Sequence, residues 1–244
     1  MTPRQPIQTG FTFGSGFTPL GKKLLIIYAA VYVAELIFFH WFRIPLVSLL
    51  FIHPLGHPDF HVFQILTHPF VHDPTAPLSF LIHCLVFYFF SAPVERAMGG
   101  RAFLTLFYGA AAGSALCGMA FSLMADFAVP FGGMLPSLLA LIVVFGLLNP
   151  DATILLMFII PIKARYISYG TLLITLLTFL AKANPNGAYH LGGIVFGWLW
   201  LAGPRHALDY RRLHMMYLEW KLKRKKARFR VIDGDKDKDG PTYH

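Results

Sequence analysis

The sequence predicts an all-α membrane protein, with six helices crossing the bilayer, a long external loop between the first two, and both termini in the cytoplasm. Three observations predict it. Apolar residues make up 56% of the 244-residue chain and charged residues 14%, with a mean hydropathy of +0.57; soluble domains carry roughly 25% charged residues. The apolar residues gather in uncharged runs close to the length, about 17 to 25 residues, that crosses a hydrocarbon layer. The basic residues then fall almost entirely on one side if the runs alternate in direction.

Residues 1–20 are polar, rich in Gly, Phe, Thr and Pro, and lack apolar periodicity, which predicts a loose cytoplasmic arm. The membrane domain, 21–204, holds spans at 24–42, 77–94, 102–124, 131–149, 166–181 and 187–203. Backbone groups in lipid must be satisfied internally, and these runs are too long and continuous for barrel strands, so they are helices. Lys22 and Lys23 precede the first run and no small-residue cleavage site clearly follows it, so it reads as an uncleaved anchor. Segment 43–76 is apolar and aromatic but broken by Pro54, Pro58, Pro69 and Pro74, which predicts a folded loop at the outer interface. Residues 153–162 (TILLMFIIPI) are too short to span and are expected to lie along the inner interface. A basic cytoplasmic helix follows over 205–230, with Leu208, Leu213, Met216, Tyr217 and Trp220 as apolar contacts, and the charged tail 231–244 is expected to be disordered.

With both termini inside, Lys22, Lys23, Arg96, Arg101, Lys163, Arg165 and every basic residue from Arg205 to Lys238 are cytoplasmic, leaving Arg43 and Lys182 outside. The net charge of +9 is therefore a topology signal and not a nucleic-acid site. The polybasic KLKRKKARFR stretch is suited to anionic lipid, at about 1 kcal/mol per residue near the surface. Cys84 and Cys117 both lie in spans and read as small buried residues, not as a disulfide scaffold or metal knuckle.

Several short strings, in order, resemble bacterial rhomboid intramembrane serine proteases. They are Thr67, Phe70 and His72 in the external segment; FFSAPVERAMGGRAF, with Glu95, Arg96, Gly99 and Phe103; VVFGLLNP followed by PIKARY; and His190-Leu191-Gly192-Gly193 with Gly197. The resemblance implies a rhomboid-like six-helix bundle in a bacterial inner membrane, cleaving membrane proteins with a fourth-span Ser activated by a sixth-span His. Here that base is His190, but the Ser position reads Leu135, or Gly132 in a register shifted by three. Neither side chain can attack a carbonyl, and Ser137, two residues on, turns about 200° away along a helix. The family's oxyanion residues are also replaced, with Ser79 and His83 at the H-x-x-x-N positions and Phe63-Gln64 at its W-R pair. An oxyanion donor is worth about 100-fold to 1000-fold in rate. The resemblance therefore implies a pseudoprotease, with Gly193 and Gly197 keeping a helix-packing role on one face.

Histidine is the competing signal. His53, His57, His61, His68 and His72 crowd the external segment; the first three would share a helix face, but Pro54 and Pro58 oppose that helix. Imidazole is the commonest metal ligand, yet without Cys or a carboxylate cluster the expected role is hydrogen bonding, with no resident metal or cofactor. His83 and His190 are expected to face one another in the bundle, and Glu35 and Asp126 are further polar residues in or near spans. The function predicted is a non-enzymatic membrane protein that binds transmembrane segments of partner proteins, as adaptor or accessory subunit. An active serine endopeptidase using Ser137 with His190 is the alternative, and a metal- or pH-responsive external histidine site the third.

Overall fold

Thr18 starts the first helix earlier than the apolar run at 24 suggests. Its Oγ1 accepts the Gly21 amide at 3.2 Å while Pro19 occupies the first turn, so α1 runs over Pro19–Ile37. The same hydroxyl donates to Glu95 Oε2, and Arg96 donates to the Gly16 carbonyl at 2.9 Å. The beginning of α1 is thereby tied to the far end of a later helix. In this computed structural model residues 16–54, 56–125, 130–156, 160–182 and 185–203 are described. The arm up to residue 15, Asp126, the basic helix 205–230 and the tail 231–244 lie outside them. Met1–Leu201 form one compact unit.

Helix α1 passes into a π-helical turn, Phe38–Phe42, and stops at Arg43, whose φ of 57° is left-handed. Trp41 and Phe42 are exposed there, the aromatic belt expected where a span meets headgroups. Segment 43–76 is irregular, as its prolines predict, and among its described residues holds the short α2 (Leu46–Leu50), α3 (Gln64–Thr67) and a 3-10 turn, His68–Phe70. The long helices α4 (Pro77–Met98) and α5 (Gly100–Ala125) follow, joined by the single residue Gly99 at φ +84°. Glycine alone adopts that conformation without strain.

α6, Leu135–Leu148, is the centre of the bundle, with Pro136, Leu138, Leu141, Val144 and Phe145 buried against α4 and α5. It is followed by a β-hairpin, β1 Thr153–Leu156 with β2 Ile160–Lys163, paired antiparallel with Thr153 opposite Lys163. Asp151 lies 3.6 Å from Lys163 and 3.4 Å from Arg165 at its base. Across the stretch 153–162, too short to span, Thr153–Leu156 and Ile160–Lys163 form a strand pair; β-branched Thr153, Ile154, Ile160 and Ile162 favour that form. α7 (Ala164–Lys182) packs on α6, and α8 (Pro185–Ala202) completes the series.

Of the six expected spans, four are matched among the described residues by helices long and apolar enough to cross a membrane: Pro19–Phe42, Pro77–Met98, Gly100–Ala125 and Ala164–Ala181. α6 has 14 residues, about 21 Å of helix. The apolar run at 131–149 is longer only because its first residues are extended: Ile52 and Phe131 exchange two backbone bonds of 2.8 Å, and Gly133 sits at φ +108°. In α8 the polar Asn186 and His190 and its glycines dilute the apolar character.

Small residues let these helices approach closely. A Cβ on Gly193 would lie 2.6 Å from the Pro136 carbonyl oxygen, and on Gly197 3.0 Å from the Ala140 Cβ. Gly193→Val is expected to lower the melting midpoint in detergent, by the roughly 1–3 kcal/mol that overpacking costs. Gly170→Ala, in open space on α7, is expected to leave it unchanged or raise it. Equal midpoints for the two variants would refute the tight α6–α8 contact.

Candidate functional site

Tyr28, Tyr32 and Glu35 stand at i, i+4 and i+7 of α1, hence on one face, and all three are buried. That face meets α4 and the external segment. Glu35 Oε2 accepts the His72 amide at 3.1 Å, while its Oε1 and the Tyr32 hydroxyl are buried without a hydrogen-bond partner among the described residues. Tyr32 stacks on Phe80 of α4, centroids 4.0 Å apart. The Tyr28 hydroxyl lies 3.0 Å from Nδ1 of His72 and 3.2 Å from Nδ1 of His83.

Hydrogen-bonding capacity orders the protons in this chain. His72 Nε2 lies 3.2 Å from the Ala76 carbonyl, which can only accept, so Nε2 carries the proton. Burial pushes the His72 imidazole below its ordinary pKa, keeping the ring neutral, so its Nδ1 accepts the Tyr28 O–H. The Tyr28 oxygen then accepts from His83 Nδ1–H, leaving His83 Nε2 bare. The result is a directional chain from His83 through Tyr28 and His72 to the Ala76 carbonyl. It can orient a polar group presented at His83, and it ends on a backbone carbonyl that cannot take up a proton.

The residues singled out in the sequence are only partly brought together. His83 joins the cluster, its ring 5.1 Å from that of His72 and edge-on to it. His190 is half-buried on α8 beside Tyr189, ring centroids 5.9 Å apart, and near enough to His83 for the two rings to interact electrostatically, though among the described residues no hydrogen bond joins it to His83 or Ser137. Ser137 is buried and donates to the Phe107 carbonyl at 2.9 Å, so its hydroxyl is engaged with α5. Leu135 is the first residue of α6, and Gly132 lies against the Phe51 ring, 2.2 Å from where a Cβ would be. His68 donates Nδ1–H to the Gln64 carbonyl at 2.8 Å and belongs to the floor of the external segment. His53 and His57 stack, centroids 4.8 Å apart, with Asp59 beside them, while His61 lies 2.9 Å from the Asp59 carbonyl.

Three contributors were missed. Tyr28 and Tyr32 lacked a signal of their own, though their spacing with Glu35 marks one polar face in an apolar span. Gln64 was noted only as a departure from a family pair, yet it is fully buried with its amide satisfied four times. It donates to the Leu49 and Asp59 carbonyls at 3.1 and 2.9 Å and accepts the His53 and His61 amides at 3.3 and 3.1 Å.

Burial pushes both His68 and His72 below the ordinary imidazole value of 6.5. Unfolding lets them take up protons more readily, so their contribution to stability is complete above that value and is lost as the pH falls below it. The Thr75 hydroxyl and amide hold the Asp73 carboxyl below its ordinary 3.8, so that group acts only in a lower window. The melting midpoint in detergent is expected to fall between about pH 7 and pH 5, and less steeply in His72→Gln. A profile flat over that range would contradict the buried neutral rings.

No curated protein matches the chain. The resemblance to bacterial rhomboid proteases is overturned by a different finding: residues 24–202 match the family described as Eukaryotic integral membrane protein (DUF1751). The bacterial inner membrane falls with it. The strings that carried the resemblance have structural work in this fold: Glu95 and Arg96 secure the start of α1, and Gly193 admits the backbone of α6. With the match covering well over half of its length, the chain belongs to this eukaryotic integral membrane protein family.

Proposed function

We propose that this chain is a non-enzymatic membrane protein that recognises transmembrane helices of partner proteins, as adaptor or accessory subunit, through the α1–α4 edge of its bundle. The observation that carries the reading is the unused hydrogen-bonding capacity of Glu35 Oε1 and the Tyr32 hydroxyl, buried where α1, α4 and the external segment meet. Such groups are costly in hydrocarbon and mark sites of function. α1 is held by one stripe, Gly21, Leu24, Tyr28, Tyr32 and Glu35, while Ile26, Val33 and Ile37 are exposed. A helix attached by a single stripe can yield at its edge to a partner, and a polar residue on that partner finds donors and acceptors in place. The engagement of the Ser137 hydroxyl with the Phe107 carbonyl supports a role without peptide cleavage. In this reading α6 and α8 complete a six-span bundle with both termini cytoplasmic, and the polybasic 221–230 stretch binds anionic lipid there.

A photo-crosslinker at Val33 is expected to capture a discrete membrane protein in mild detergent, and Glu35→Leu to abolish the capture; crosslinks to lipid alone would defeat the proposal. Fluorophosphonate labelling of the purified chain is expected to be absent. Labelling lost in Ser137→Ala would instead establish a serine hydrolase.

A further inference from the structure

The external loop 53–61 is built with unusual care for a surface segment. A fully buried Gln64 holds it from beneath: its amide nitrogen binds the Leu49 and Asp59 carbonyls and its amide oxygen binds the His53 and His61 amides. Pro54 and Pro58 further restrict the backbone. What the loop presents is chemical: His53, His57 and Asp59 each offer one ligand atom, and the three lie within 4.8 Å of one another.

We propose that His53, His57 and Asp59 form a binding site for a divalent transition-metal ion, independent of the α1–α4 reading above. The histidine tautomers are those ligation requires. His53 is buried and its Nε2 lies 2.9 Å from the Ser48 carbonyl, so Nε2 carries the proton and Nδ1 is the bare nitrogen. A ring nitrogen donating to a backbone carbonyl is the arrangement that orients a metal-binding histidine. His57 Nδ1 accepts a long 3.2 Å bond from the Asp59 amide, so this nitrogen too is unprotonated in the neutral ring, and the Asp59 carboxylate lies 3.6 Å from it. Donors on one tetrahedral zinc ion lie about 3.3 Å apart, as bond lengths of about 2.0–2.1 Å require. The Asp59 side chain, 71% exposed, has room to rotate toward the two imidazoles.

Two imidazoles and one carboxylate suit borderline ions such as Zn2+ and leave a coordination position for water or a further ligand. The carboxylate that the spacing of histidines did not reveal is Asp59, brought beside His57 by the turn after Pro58. His61 donates to the Asp59 carbonyl and stands outside the converging three.

The test is titration of the full chain in detergent with Zn2+, followed by calorimetry. One equivalent is expected to bind to the wild type and to His61→Ala. Binding of that equivalent is expected to weaken at least about tenfold in His57→Ala and in Asp59→Asn. Both substituted residues sit at the surface, and an unchanged melting midpoint without metal verifies that each variant is folded. Absence of binding in the wild type, or an equivalent that survives both substitutions, would overturn the site.

Discussion

One end of this bundle depends on the His72 amide reaching the Glu35 carboxyl. A carboxyl within an apolar span must find donors inside the protein, since the hydrocarbon offers none. The amide that answers it belongs to the external segment, so the bond fixes that segment over α1. Once His72 is placed, its ring meets Tyr28, and Tyr28 in turn reaches His83 on α4. Further along the same segment, Ile52 pairs with Phe131 and the His68 carbonyl accepts the Gly133 amide at 2.7 Å, which sets where α6 begins. The position of the central helix is thus controlled from outside the spans.

Much of this was legible from residue pattern alone. Apolar run length located the long helices, and the prolines of segment 43–76 correctly opposed a helix through His53, His57 and His61. The misreadings have physical causes. Hydropathy does not separate an extended apolar approach from the helix it enters, so 131–149 merged the Phe131 pairing with α6. An apolar stretch of ten residues does not announce its secondary structure, and the pairing of Thr153–Leu156 with Ile160–Lys163 was not legible in it. Glu35 was visible as a polar residue in a span, but its partner lies 37 residues away, a separation that no local period encodes.

Short motifs proved a poor guide to chemistry in this chain. Glu95-Arg96 and the paired glycines of α8 look like signatures because the demands they meet are common to packed membrane helices: securing a helix end and admitting a neighbouring backbone. The same demands arise in any polytopic bundle. Chemistry is better sought where polar capacity converges without being used up, as at Glu35 and Tyr32, or where a buried amide such as that of Gln64 arranges an exposed loop.

Gly99 is the only residue between α4 and α5, and its left-handed turn leaves no slack. The two spans are consequently a helical hairpin, and neither can slide, tilt or leave the bilayer without carrying the other. His83 on the first arm and Phe107 on the second, whose carbonyl receives Ser137, are thus carried on one unit.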